Sequence, residues 1–390
     1  MGSLSHLGST RVSALAIMAT RSQDQQLVAS VAAEHPMGPP RLDGAAAHDA
    51  GPSGHAHDSG STCCVVPSFG WHPWYSHHLY DDGHTTAASW PSLGGTGATP
   101  ELIKQAKTAH YRAILCPSPP DDFIDALPTP LPLSCFISAT RSRLHDNPKA
   151  LIGEVGLDKA FRLPEHEGAD DAAGHSGLTP GTRHGRRLSP YRVVMAHQQA
   201  ILTAQLRLAG QEGRPVSVHG VQAHGVLFDT LSACWKGHER RRRAAEAEQD
   251  ESDDDDDDDD DDDKKEHHDK PEPKPFPPRI CLHSFSGSVE ILRQWLHPSV
   301  PAKVFVSFSS AVNLGSQGAR ARLDDVVQAV PHDRILVESD VHQAGPAMEA
   351  ALEDMYRRVC RAKQWPLAEG VSLMRCNFDD FVFGSRREDE

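Results

Sequence analysis

Paired cysteines are the first thing this chain lacks. Its eight cysteines are scattered, none is spaced C-x-x-C, and only Cys63 and Cys64 are adjacent. That spacing excludes a zinc ribbon and reads as buried thiols of a reducing compartment, not as a disulfide framework. Long apolar runs are missing too. The longest, residues 12–19, falls well short of the roughly 20 residues that span a bilayer. No basic-then-apolar leader pattern opens the chain, and His6 breaks the myristoylation pattern that Gly2 begins. The expectation is a soluble protein of the cytoplasm or nucleus with no membrane partner. There is no Gly-rich phosphate loop, no Ser-His-Asp order and no zinc-finger spacing. Basic excess is absent as well. Of the formal charge of −15, the aspartate run 253–263 contributes −11, and the remaining −4 gives no global basic surface for nucleic acid.

What the sequence does contain is one pattern used four times. The runs Ala150-Leu-Ile-Gly-Glu154, Pro215-Val-Ser-Val-His219, Arg279-Ile-Cys-Leu-His283 and Ile335-Leu-Val-Glu-Ser-Asp340 are short, apolar and continuous. Such runs read as parallel strands buried on both faces. Each delivers a carboxylate or imidazole at or just past its C-terminal end, the face where a (β/α)₈ barrel collects its catalytic groups. With 24 histidines in the chain a single histidine means little. Glu154, His219, His283 and Asp340 in series point instead to a divalent metal centre, and mixed oxygen and imidazole donors suit Mg²⁺, Mn²⁺ or Zn²⁺.

The spacing supports a barrel. Glu154 and His219 stand 65 residues apart, His219 and His283 64, and His283 and Asp340 57. Segments 159–188 and 237–278 lack helical period. Without them about 35 and 22 residues remain in the first two intervals, each close to one strand–helix–strand unit of roughly 30 residues. The last interval holds two units, with the non-ligating strand 303–308 between them. A third insertion, 37–62, is rich in Pro, Gly and His. The whole chain, 1–390, then reads as one α/β barrel domain carrying three insertions, with a core of about 290 residues, which suits a fold whose usual size is roughly 250. The middle of the 237–278 insertion, residues 239–274 with the poly-Asp run, cannot bury enough apolar surface to fold.

Other elements follow from periodicity. Residues 13–19 and 64–70 read as strands, the second weakened by Pro67. Helices are expected at 22–33, 100–110, 191–209, 223–235, 289–296, 319–330, 346–363 and 367–374, and a short strand at 112–116. Residues 117–132 are too proline-rich to be regular. Asp158 and Glu338 read as groups supporting the ligands or capping helices. His72 reads as packing its own loop, and Trp71 and Trp74 as loop anchors rather than base-stacking platforms. Asn377 and Phe381 are expected to dock the final helix under the barrel.

These residues resemble the TatD family of metal-dependent hydrolases, within the amidohydrolase-like barrels. The resemblance rests on Phe69-Gly-Trp-His-Pro73, Gly153-Glu-Val-Gly-Leu-Asp158, the run into His219, His283-Ser-Phe-Ser-Gly287, Ile335-Leu-Val-Glu-Ser-Asp340 and Asn377. It implies a TIM-type (β/α) barrel holding one or two divalent ions. Glu154 would bridge the ions, His219 and His283 would bind one, and Asp340 would both ligate and accept the proton of the attacking water. DNA is the implied substrate, cleaved at phosphodiester bonds with exonuclease character. The insertions and Lys159-Ala-Phe-Arg-Leu-Pro164 are most similar to fungal members, some of them linked to the anaphase-promoting machinery, which implies a protein-complex partner.

One departure shapes the expectation. The family opens with a strand bearing His-x-His, and here no such pair precedes residues 13–19, which read as the second barrel strand. His6 stands alone, and His55-Ala-His57 falls in the loop after that strand. The expected barrel therefore lacks its first strand or has an atypical one, leaves the neighbouring edge exposed, and is short of one metal subsite. The alternative function is a catalytically impaired barrel that serves as a binding partner in a larger complex.

Overall fold

Seven strands follow one another in chain order and pair side by side, all parallel. They are β1 (Ala14–Met18), β2 (Cys64–Phe69), β3 (Leu151–Asp158), β4 (Val216–Val221), β5 (Arg279–His283), β6 (Lys303–Ser309) and β7 (Ile335–Glu338). The structure, a computed structural model, describes residues 4–36, 63–83, 99–165, 187–240, 274–315 and 317–384. The 37–62 insertion with His55-Ala-His57, the poly-Asp run and most of 159–188 and 237–278 lie outside these residues. The described ends of the last two segments are packed, with Phe161, Leu163 and Phe276 all buried. Among the described residues no helix is long and apolar enough to cross a membrane.

The sheet is curled, and its inner residues show it. Val66, Leu151, Cys281, Phe305 and Leu336, from five different strands, meet in one cluster that a flat sheet would hold apart. This is the parallel α/β sheet of a TIM-type barrel, with side chains filling its interior. Phe381 and Val382 close that cluster from below. They stand near the end of α10 (Leu367–Phe383), longer than the expected 367–374. Asn377 Nδ2 donates to the carbonyls of His332 (2.8 Å) and Ile335 (2.9 Å), and Arg279 donates to those of Phe381 and Val382. The final helix docks under the barrel as Asn377 and Phe381 promised.

The outer face carries the larger core, between strands and helices. Helices α5 (Met195–Gln211) and α6 (His224–Trp235) supply Leu202, Leu206, Leu227, Leu231 and Trp235 to it. The expected 191–209 helix starts later because Arg192–Val193 pairs antiparallel with Leu115–Cys116. Around the sheet stand α1 (Ser22–Glu34), α2 (Pro100–Ile114), α3 (Asp121–Ala126), α4 (Leu133–Asp146), α7 (Val289–Trp295), α8 (Gln317–Ala329) and α9 (Pro346–Lys363). Two correct the reading from sequence. Helix α3 lies inside the proline-rich 117–132 stretch, where Pro120 serves as its N-cap. Helix α4 was not anticipated, although Leu133, Phe136, Thr140 and Leu144 recur on one buried face. Eight free thiols are present, but only Cys63, Cys281 and Cys360 are buried, and Cys116, Cys135 and Cys376 are exposed.

The two ends of the sheet differ from its middle. Strand β1 is half-buried at all five positions, whereas β3 is buried at seven of eight. Among the described residues β1 and β7 are not paired with each other. Among the described residues the sheet therefore has a seam between two edges, β1 and β7.

Candidate metal centre

A β-bulge aims Glu154 into the mouth. Strands β3 and β4 pair Ile152 with Val216 and then Val155 with Val218, so three steps on one strand match two on the other. Simple alternation after inward Leu151 would send Glu154 outward. The extra residue lets Ile152 and Val155 both face the outer core while Gly153–Glu154 turns inward, the re-aiming that bulges provide. Gly156, at φ +150°, lets β3 close on β4, since a Cβ there would sit 2.0 Å from the His219 carbonyl oxygen. His219 and His283 are paired directly across β4 and β5. Asp340 stands two residues beyond β7 with φ +52°, a left-handed conformation that aspartate tolerates better than most residues.

All four expected residues meet at this one end. Glu154 Oε1 lies 2.8 Å from His219 Nδ1 and 3.6 Å from His283 Nε2, and His283 Nε2 is 3.4 Å from Asp340 Oδ1. A third imidazole joins them: His72 Nε2 is 3.4 Å from the same Glu154 oxygen. Ligand atoms of His72, Glu154 and His219 fall within 4.8 Å of one another. His72, read from the sequence as packing its loop rather than binding metal, does cap the turn Pro73–His78 and also faces the site.

The nitrogen atoms turned away from Glu154 separate the three histidines. His219 Nε2 lies 3.3 Å from Asp158 Oδ2, and His283 Nδ1 lies 3.0 Å from Glu338 Oε2. A carboxylate behind an imidazole holds the proton on its own side and leaves the other nitrogen's lone pair facing inward. His72 has the opposite arrangement. Its Nδ1 accepts the Trp74 backbone N–H at 3.2 Å, capping the 3₁₀ turn Pro73–His78. The neutral ring then carries its proton on Nε2 and donates toward Glu154. Two of the three imidazoles are arranged as ligands, and the third as a hydrogen-bond donor.

The supporting carboxylates are themselves held. Asp158 accepts from Trp74 Nε1 (2.7 Å) and from the backbone N–H groups of Ala160 (2.7 Å) and Phe161 (2.8 Å). Glu338 accepts from the hydroxyls of Ser284 and Ser307, the latter at 2.9 Å. Ser217 and Ser309 extend the same network. Sequence reasoning missed these serines, although Val-Ser-Val-His219 and Val-Ser-Phe-Ser309 put them on the polar inward face. Trp71 is a buried loop anchor, its indole N–H donating to the Tyr75 carbonyl at 2.7 Å. Trp74 stacks on Phe161 with ring centroids 5.1 Å apart.

Charges at the site respond to one another. Burial opposes ionisation of Glu154, but the imidazoles of His283 and His72 and the hydrogen bonds of His219 and His72 hold its carboxyl well below the usual range. Burial likewise opposes a charge on His219, yet Asp158 and Glu154 raise it to about 9, and Glu154, Glu338 and Asp340 lift His283 well above an ordinary histidine. Asp158 is held at about 2 against its burial, chiefly by His219. Burial lowers His72 despite Glu154, in keeping with the neutral donor deduced from its hydrogen bond. A cation facing Glu154 and Asp340 would put its charge where these carboxylates favour a proton on His219 and His283. The donor set therefore fits a divalent ion.

Comparison with known proteins gives the family of the chain. The TatD related DNase family matches residues 59–382. The chain is 34% identical over 374 residues to the Cut9-interacting protein scn1 of Schizosaccharomyces pombe, covering 95% of this chain and 92% of that protein. It is 26% identical over 330 residues to the uncharacterized deoxyribonuclease YMR262W of Saccharomyces cerevisiae, covering 82% of each. Among solved structures, the TatD homologue YjjV of Escherichia coli matches at 15% identity and a TM-score of 0.48, over 98% of this chain and 91% of that one. The chain belongs to the TatD family.

Proposed function

We propose that this protein is a metal-dependent hydrolase of phosphodiester bonds with DNA as its substrate. One observation carries the reading: Glu154, His219, His283 and Asp340 converge on one mouth, and a separate carboxylate fixes the tautomer of each histidine. Glu154, His219 through Nδ1, His283 through Nε2, and Asp340 would hold the ion, whether Mg²⁺, Mn²⁺ or Zn²⁺. When bound, such an ion lowers the pKa of its water and neutralises charge on a phosphoryl oxygen. Asp158 and Glu338 keep both imidazoles aimed inward. His72 keeps an N–H donor beside Glu154, and its conversion to a cation is disfavoured by burial. Asp340, a third exposed and the most open of the four side chains, is placed to take a proton from water entering the mouth.

A second reading is a binding partner within a larger protein complex. It is favoured by the printed name of the fission-yeast relative, a Cut9-interacting protein, and by the interrupted ring, which offers no His-x-His pair among the described residues. The two readings part in a nuclease assay on single-stranded DNA with Mg²⁺ or Mn²⁺, with bound metal counted. The hydrolase reading expects one ion per chain and slow, metal-dependent cleavage that Asp340→Asn abolishes. An ion-loaded protein that cleaves no DNA overturns it and leaves the partner reading.

A further inference from the structure

Asp340 is the least supported member of the proposed centre. Glu154, His219 and His283 sit within strands, with side chains 13%, 13% and 8% exposed, while Asp340 stands in the loop 339–345 at 33%. The contact that places it against the others is the 3.4 Å approach to His283 Nε2. Its position therefore depends on what holds the loop. One end is the last residue of β7. The other end meets residues 4–12, the segment that precedes β1.

This segment lies over the seam between β7 and β1. Leu7 is 1% exposed and packs in a cluster with Val31 and Ala32 of α1, Val65 of β2, Leu15 and Ile17 of β1, and Ala344 of the loop. The His6 ring rests against Gly345, which has φ +123°. Further along, the Arg11 backbone N–H donates to Glu349 Oε1 (3.0 Å), its Nε to Glu349 Oε2 (3.0 Å) and its Nη2 to Glu353 Oε2 (3.3 Å), on the first turns of α9. The segment thus passes from the mouth, beside residues 344 and 345, down along α9 and then into β1. It ties the loop to both edges of the interrupted sheet at the place where their strands do not pair.

We propose that residues 4–12 act as a positioning strap for the metal centre, with Leu7 and Arg11 fixing the loop that presents Asp340. The inference rests on the proposed ion site for its consequence, though not for its geometry. A strap anchored by one buried leucine and by an exposed arginine paired with two glutamates resists movement mainly through the leucine, since pairs made by exposed side chains contribute little.

The test uses the full chain carrying Leu7→Ala, Leu7→Met or Arg11→Glu, with Asp340→Asn as reference. Hydrogen exchange is read for amides 340–345 against amides 152–158, and Mn²⁺ affinity is read by calorimetry. Leu7→Ala is expected to speed exchange of 340–345 about tenfold while leaving 152–158 unchanged, as a local opening does. Its Mn²⁺ affinity should fall to that of Asp340→Asn, and Leu7→Met should restore both readings. If Leu7→Ala does not fold, Arg11→Glu decides, because it reverses a surface charge facing Glu349 and Glu353 and should shift both readings the same way by a smaller factor. Unchanged exchange in folded variants overturns the strap. Faster exchange with wild-type Mn²⁺ affinity overturns its link to Asp340. A wild type that binds no Mn²⁺ sinks the ion site instead, and the exchange data still decide whether the strap holds the loop.

Discussion

Two sides of the same mouth are built differently. On the β3–β5 side, Glu154, His219 and His283 come from paired strands, and each imidazole is held by a second carboxylate that is itself hydrogen-bonded. On the β7–β1 side the strands do not pair, β1 is half-buried throughout, and Asp340 rides on a loop. The first side defines geometry, and the second leaves a carboxylate open to water. A hydrolytic site needs both properties, since ligands gain from rigidity while a proton acceptor must reach solvent or substrate.

The largest expected effect comes from breaking the rigid side at its centre. Glu154→Gln removes the charge that three imidazoles face, and taking one partner out of this buried cluster should cost about 3–5 kcal/mol of stability, as breaking a buried ion pair does. Urea unfolding measures it. An equal loss for Asp340→Asn would erase the contrast between the two sides.

Next come the supporting carboxylates. Asp158→Ala and Glu338→Ala should each weaken Mn²⁺ binding by about 10–100-fold, the usual consequence of removing a group that orients a ligand. Calorimetry decides, and His72→Ala should weaken it less, because His72 is oriented as a donor. A larger loss for His72→Ala would reverse the assignment of the three histidines.

How much of this was legible in the sequence can be argued residue by residue. The four apolar runs gave the strands and their order, because continuous β-branched runs ending in His or Glu survive any uncertainty about the loops between them. That His72 also faces the site was not legible, because its partners, Glu154 and the tautomer-setting Trp74 N–H, are fixed only by folding. The bulge at Gly153–Glu154 was equally hidden, since Leu-Ile-Gly-Glu reads as plain alternation until β4 is laid beside it. The strap joins Arg11 to Glu349, 338 residues away, and no local pattern announces such a contact. Helix α3 shows the reverse error, where prolines taken as breakers serve as a helix start.

A smaller effect should appear behind the rigid side as a function of pH. His110, packed near His77 and His197, is pushed down to about 3, chiefly by burial. An unfolded histidine binds its proton near 6.5, so between about 6.5 and 3 the unfolded state holds more protons and stability falls as pH falls. The slope approaches about 1.4 kcal/mol per pH unit within that window. His110→Gln should flatten it in urea unfolding between pH 6.5 and 4.5. An unchanged slope would place the acid sensitivity elsewhere.

The most direct test is a crystal structure of the wild-type protein grown with Mn²⁺, the ion located by its anomalous signal. The account predicts an ion bound by Glu154, His219 Nδ1, His283 Nε2 and Asp340, with His72 Nδ1 still capping the Pro73–His78 turn. An ion coordinated by His72 in place of His283, or no ion at the mouth at saturating Mn²⁺, would contradict it.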